Sequence, residues 1–205
     1  MVYVEADVVN GESSPELIRE LETTAADIAS RVQLQEINKI PAIAATRQAY
    51  KRMGKDPNRY RPSQEQLMRR IVRGLGLYYV DNLVDTGNLM SVMCGSSLGV
   101  FDRDKIAGDI LRLGVGKENE PYEGIGRGPL NIEGLPVIRD SKGGIGTPTS
   151  DNERTKVSLS TTRISICLNM YDVSSPTPEE AADTLRNLLI KYCNASNIEI
   201  RIVTP

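Results

Sequence analysis

The spacing of apolar and polar positions divides the chain into a helical beginning, a strand-and-turn middle and a strand–helix–strand end. Val2 to Val9 is β-branched and apolar enough for an opening strand. Leu17, Leu21, Ala25, Ile28 and Val32 then recur at helical spacing. Ser14 is placed to cap that helix and Pro15 to take its first position. A second helix is expected from about Ala42 to Met53, ending near Gly54. Ser63-Gln64-Glu65-Gln66 matches a capping box and opens a helix through Arg73, closed by Gly74 and Gly76. Its Leu67/Ile71 and Met68/Val72 pairs lie four apart, on shared faces. Val80 to Val92 reads as a further helix, packed through Val80, Leu83, Val84 and Met90. Gly87 in its interior costs on the order of 1 kcal/mol against alanine, which predicts a close approach by another element there.

From Leu98 the pattern shortens to strands at Val100-Phe101, Ile110 to Leu113, Leu130 to Ile132 and Leu135 to Ile138. Pro136 argues that the last of these is an edge strand. Glycines cluster at 114, 116, 124, 126 and 128, then at 143, 144 and 146, in mobile loops or tight turns; the residues leave both open. Arg163 to Met170 alternates, with Ile164, Ile166, Leu168 and Met170 on one face and Arg163, Ser165, Cys167 and Asn169 on the other. Thr177 and Glu180 are spaced as a capping box, and Leu185, Leu188, Leu189 and Tyr192 form the apolar face of the helix that follows. Ile198 to Val203 closes the chain as a strand, so a right-handed βαβ crossover is expected. The pattern is that of one mixed α/β domain with a helix-rich N-terminal third.

Composition narrows the chemistry. The chain has 205 residues, 40% apolar and 25% charged, the balance of a globular protein. No stretch approaches the roughly 20 apolar residues a membrane span needs. Met1-Val-Tyr-Val-Glu has no basic region followed by an apolar one, so no secretory signal is expected. Cys94, Cys167 and Cys193 are odd in number and form no CxxC pair, which points to free thiols in the cytoplasm. Histidine is absent, and with it the Ser-His-Asp and Cys-His arrangements, the HExxH zinc motif and the commonest general base. No cofactor and no metal is expected. Aromatics are eight Tyr and Phe101, too few for a base-stacking RNA-binding sheet.

The net charge of −2 conceals an asymmetry. Residues 1–46 hold 3 basic and 8 acidic groups, whereas residues 47–73 hold 9 basic and 2 acidic ones. That island (Arg47, Lys51, Arg52, Lys55, Arg59, Arg61, Arg69, Arg70, Arg73) fits either a phosphate backbone or a solvated helix face.

The run from Arg47 through Ser63 to Glu65, Leu67 and Arg70 carries a resemblance, as do five further stretches. These are Asn82-Leu-Val-Asp-Thr-Gly-Asn88, Gly99-Val-Phe-Asp102, Glu120-Pro-Tyr-Glu-Gly-Ile-Gly126, and Asp140 with the glycines after it. Asp151-Asn-Glu-Arg-Thr155 before Thr161-Thr162 completes the set. Together, over 42–170, they resemble free-standing bacterial proteins similar to the tRNA-binding and editing module of the phenylalanyl-tRNA synthetase β subunit. Residues 1–41 then form a strand and helical extension, and 171–205 a helix and closing strand. The resemblance implies a three-layer β/β/α sandwich around a central pocket. In the synthetase that pocket hydrolyses tyrosine wrongly esterified to the tRNA 3′ end.

Carried over residue by residue, the synthetase's Thr-Asn pair falls on Gly87 and Asn88, its histidine on Gly99 and its pocket glutamate on Cys167. No catalytic residue is assigned. Asn88 is expected to orient a ligand carbonyl or amine, or to satisfy nearby backbone. Cys167 shares its strand face with Arg163, Ser165 and Asn169, which should border a cavity near Asn88. Asp151 and Arg154 could clamp an α-amino acid, or pair with each other. Glu120 and Tyr122 form a rim or a tight turn, and Arg69, Arg70 and Arg73 are the expected phosphate contacts. The function implied is a stand-alone tRNA-binding domain with weak affinity and at most degenerate deacylase activity. The alternative is a cytoplasmic binder of a free amino acid or related metabolite; neither involves a membrane.

Overall fold

A computed structural model describes residues 1–204. Strand β1 (Val2–Asp7) leads into helices α1 (Pro15–Arg31), α2 (Pro41–Arg52), α3 (Ser63–Val72) and α4 (Asn82–Cys94). Then come β2 (Ser97–Asp102), β3 (Arg112–Val115), β4 (Glu123–Gly124), β5 (Gly128–Pro129), β6 (Pro136–Asp140), β7 (Gly143–Gly146) and β8 (Arg163–Asn169). Helix α5 (Pro178–Cys193) and strand β9 (Ser196–Ile202) finish a mixed α/β fold. The main sheet has the order β2-β8-β1-β9, a second sheet the order β3-β6-β7, and β4-β5 form a small ribbon. Since β8 and β9 both run antiparallel to β1, they are parallel to each other, with the opening strand inserted between them.

Alternation along the strands gives the main sheet two different faces. Val2, Val4, Ala6, Val100, Ile164, Ile166 and Leu168 turn toward one side and pack with Leu17, Leu21, Met68, Leu83, Leu89 and Leu185 from the helices. Each fully buried aliphatic side chain there is worth about 1.5–3 kcal/mol. On the other face Phe101, Cys167 and Tyr3 meet Ile106, Ile138 and Ile145, the last two from β6 and β7. Both faces of β8 are therefore covered, and Ser165 and Cys167 are as buried as Ile164 and Ile166.

Two helix starts follow the local chemistry expected of them. Ser14 accepts the Leu17 N–H at the start of α1, and Thr177 and Glu180 form the expected reciprocal cap on α5. Gly87 is pressed against β2: a β-carbon there would lie 3.1 Å from Leu98 Cδ2 and 3.2 Å from Val100 Cγ2.

Four expectations are corrected. The capping box at Ser63 does not form; Pro62 precedes α3 without a side-chain cap, and Gln66 instead donates to the Arg61 carbonyl. Helix α4 begins at Asn82 because Asp81 caps it by accepting the Val84 N–H, which leaves Val80 outside and 63% exposed. Leu130 to Ile132 is not a strand; Ile132 is buried in a small cluster with Tyr50, Tyr122 and Leu135. Pro136 begins the central strand of its sheet rather than an edge, and the first residue is where a missing N–H is tolerated.

Candidate functional site

The second face of the main sheet carries the residues that chemistry would need. Register sets Gly99 of β2, Cys167 of β8 and Tyr3 of β1 abreast. The ring of Phe101 folds back over Gly99 and reaches Gly146 of β7. A β-carbon at Gly99 would sit 2.6 Å from Phe101 Cζ, and one at Gly146 2.5 Å from the same atom. Those two positions would also lie 2.9 and 3.1 Å from Asp151 Oδ1. Gly99, Gly146, Phe101, Asp151 and Cys167 thus form one packed group. A side chain at Gly99 would have to displace the Phe101 ring and the Asp151 carboxylate.

Burial dominates the electrostatics of this group. It pushes the Asp151 carboxyl up to about 8, with a backbone hydrogen bond from Val100 working the other way. Burial also raises the Cys167 thiol, and Asp151 adds to the effect. A nucleophilic thiolate needs the opposite environment. Asp151 is the group in the cluster that can exchange a proton near neutral pH.

Other sequence candidates lie elsewhere or are already engaged. Gly87 and Asn88 belong to α4, on the helical side of the sheet, whereas Cys167 is on the far side. A cavity does border Cys167 and Asn169, but neither Asn88 nor Gly87 lines it. Arg154 does not meet Asp151; it grips Asp140 with two hydrogen bonds of 2.8 and 2.9 Å. Burial acts to raise Asp140, and the Arg154 bonds with the Ala107 and Lys142 amides outweigh it, so the carboxyl titrates lower than usual. The amino-acid clamp is therefore not assembled. Glu120 is held by Arg139 at 2.7 and 2.6 Å, and chiefly these bonds lower its pKa. Tyr122 donates to the Ser150 carbonyl at 2.7 Å and lays its ring against Gly144. All three fasten the second sheet and its loops.

The basic island is likewise divided. Glu65, fully buried, takes Arg47 at 2.8 Å, Arg69 at 2.9 Å and Arg61 at 3.4 Å. Lys55 donates to the Asn131 carbonyl at 3.0 Å and sits 3.8 Å over the Tyr60 ring. Arg70 stacks on Tyr78 at 3.8 Å and bonds the carbonyls of Leu75 and Gly76. Lys51, Arg52, Arg59 and Arg73 remain exposed. Of the three expected phosphate contacts, only Arg73 is in that free set.

Beside the Cys167 cluster opens a cavity of about 700 Å³. Tyr3, Cys167 and Asn169 floor it, and Ile106, Ile110, Leu111, Leu113 and Ile138 supply apolar walls. Sequence reasoning placed Asn169 on this face but missed Tyr3, although alternation along the opening strand sets it opposite the valines.

Comparison with known proteins gives the family. The chain belongs to the B3/4 domain family, whose pattern matches residues 45–194. It is 33% identical over 113 residues to the phenylalanine–tRNA ligase β subunit of Bartonella henselae, covering 54% of this chain and 14% of that subunit. The Bartonella quintana subunit is 33% identical over 112 residues, with the same coverage of 54% and 14%. The match thus spans about a seventh of the length of these relatives. Among solved structures, an N-terminal fragment of the phenylalanyl-tRNA synthetase β subunit from Pyrococcus horikoshii matches 58% of this chain and 42% of its own. That match has 17% identity and a TM-score of 0.46. The chain is a module related to aminoacyl-tRNA synthetases. Among the described residues no group of three potential metal ligands occurs, and no helix is long and apolar enough to cross a membrane.

Proposed function

We propose that this chain is a cytoplasmic tRNA-binding module of the synthetase kind, with little hydrolytic power. The observation that carries the reading is the set of exposed cations Lys51, Arg52, Arg59 and Arg73, which lie within the segment matched to the B3/4 family. Phosphates would meet these four side chains, while Arg47, Arg61 and Arg69 stay committed to Glu65. Ester hydrolysis by this module would rest on Asp151 as the proton-exchanging group, because the chain has no histidine and burial raises the Cys167 thiol.

Four phosphate contacts predict a steep salt dependence, with affinity for tRNA falling about a hundredfold between 50 and 200 mM salt. Replacing Lys51, Arg52, Arg59 and Arg73 together by glutamine should flatten that slope and leave the fold intact. Filter binding or fluorescence anisotropy with unfractionated tRNA reads both effects. Absence of binding even at 20 mM salt would remove the reading.

A further inference from the structure

The two edges of the main sheet differ. At one edge β2 is partly closed, because Phe101 makes a bridge with Lys156 and α3 packs beside the strand. At the other, β9 has β1 as its sole strand neighbour among the described residues. Register fixes which backbone groups of β9 point outward. The Val203 N–H donates to the Met1 carbonyl at 2.9 Å, Tyr3 stands opposite Arg201, and Glu5 stands opposite Glu199. Hydrogen-bonded pairs alternate along an antiparallel ladder, so Glu199, Arg201 and Val203 direct their N–H and C=O groups to β1. Ile198, Ile200 and Ile202 direct theirs to the open edge. The ladder breaks at Asn197, where φ is 50° and the register shifts.

Side chains alternate in step. Ile198, Ile200 and Ile202 lie on the helix side, Ile202 being 38% exposed, and Glu199 and Arg201 lie on the other. An open, isoleucine-rich edge is a template for a further strand. The run Ile-Glu-Ile-Arg-Ile is also complementary to its own reverse. Antiparallel pairing about a two-fold axis at Ile200 sets Ile200 against its copy, Ile198 against Ile202 and Glu199 against Arg201. The outward groups of the isoleucines then close a ladder of N–H···O bonds across the seam. Glu199 and Arg201 fall at the closely spaced, non-hydrogen-bonded positions, where opposite charges favour pairing. Moving the axis by one residue either way would set Glu199 against Glu199, or Arg201 against Arg201. Within one chain these two side chains lie 3.1 Å apart, each about two-thirds exposed, so both are free to exchange partners.

We infer that β9 pairs with β9 of a second copy of this chain in that register, joining two four-stranded sheets into one. The cations proposed for tRNA run from α2 to the end of α3, and α3 packs at the β2 edge, so the dimer leaves them clear. Sedimentation velocity on the RNA-free protein should show the mass rising from one chain toward two with concentration, since a single strand pair is a small interface. Glu199→Arg or Arg201→Glu, each at an exposed position, sets like charges across the seam and should weaken the dimer at least about tenfold. Mixed in equal amounts, the two variants should recover a dimer, because every cross-strand contact again joins opposite charges. Circular dichroism checks that each variant keeps its fold. A protein that stays a single chain at about 0.5 mM overturns the inference. So do variants that dimerise as well as the unaltered chain, or a mixture that remains monomeric. None of these readings involves tRNA.

Discussion

Asp151 shows how one residue is redefined by its neighbours. As a letter in Asp151-Asn-Glu-Arg it reads as half of a loop ion pair, yet Arg154 turns to Asp140 and leaves the Asp151 carboxyl against Gly99, Gly146 and Phe101. Burial raises its pKa from 3.8 to about 8. Across that interval the folded chain retains a proton that the unfolded chain has released. Its contribution to stability is therefore full at low pH and declines as pH rises from about 4 to 8. Glu120 and Asp140, whose pKa values are lowered, act in the opposite direction and lose their contribution as pH falls. Comparison with Asp151→Asn isolates the one slope, because asparagine keeps the shape of the protonated acid and does not ionise. Urea unfolding at pH 5 and pH 8 should show the variant gaining on the unaltered protein at the higher pH. A gap that stays constant between the two would mean that the carboxyl titrates as an ordinary aspartate.

Among the elements, α3 is the one whose role differs most from its pattern. Its first turn looks like a capping box, but Glu65 is instead a fully buried anion shared by Arg47, Arg61 and Arg69. The carboxylate ties α2, the loop before α3 and α3 itself together. Glu65→Ala strands two partly buried guanidinium groups and should cost about 3–5 kcal/mol of unfolding free energy. The exposed pair of Asp27 and Arg31 on α1 provides the contrast, since Asp27→Ala should cost well under about 1 kcal/mol. Denaturant titrations of the two variants test this ranking; equal losses would show that Glu65 is solvated in solution. The caps of α1 and α5 were legible because Ser14 and Thr177 act on backbone only three residues away. The partners of Glu65 were not, because Arg47 lies 18 positions from it.

At the scale of the whole molecule, the packing brings the Phe101 ring and the Asp151 carboxylate together against Gly99 and Gly146, and the chain has no histidine to act as a base. A positioned acid or base contributes 10²–10⁴-fold, so deacylation of tyrosyl-tRNA(Phe) should run at least about a hundredfold below that of an editing synthetase. Asp151→Asn should remove whatever remains, and Cys167→Ser should leave it; the release of tyrosine from charged tRNA measures both. A rate equal to a synthetase's would mean that another group does the chemistry. The sequence by itself determined the helices α1, α2, α3 and α5, the alternation of β8, the close approach at Gly87 and the kinship with synthetase modules. Each depends on periodicity, on contacts a few residues apart, or on ordered motifs that a linear chain displays. Only the tertiary structure decided that both faces of β8 are buried, that five of nine clustered cations are engaged, and that Asn88 and Cys167 lie on opposite sides of a sheet. Those outcomes depend on which distant elements meet, and polar letters such as Ser165, Glu65 and Asp151 look the same whether water or another layer of protein covers them.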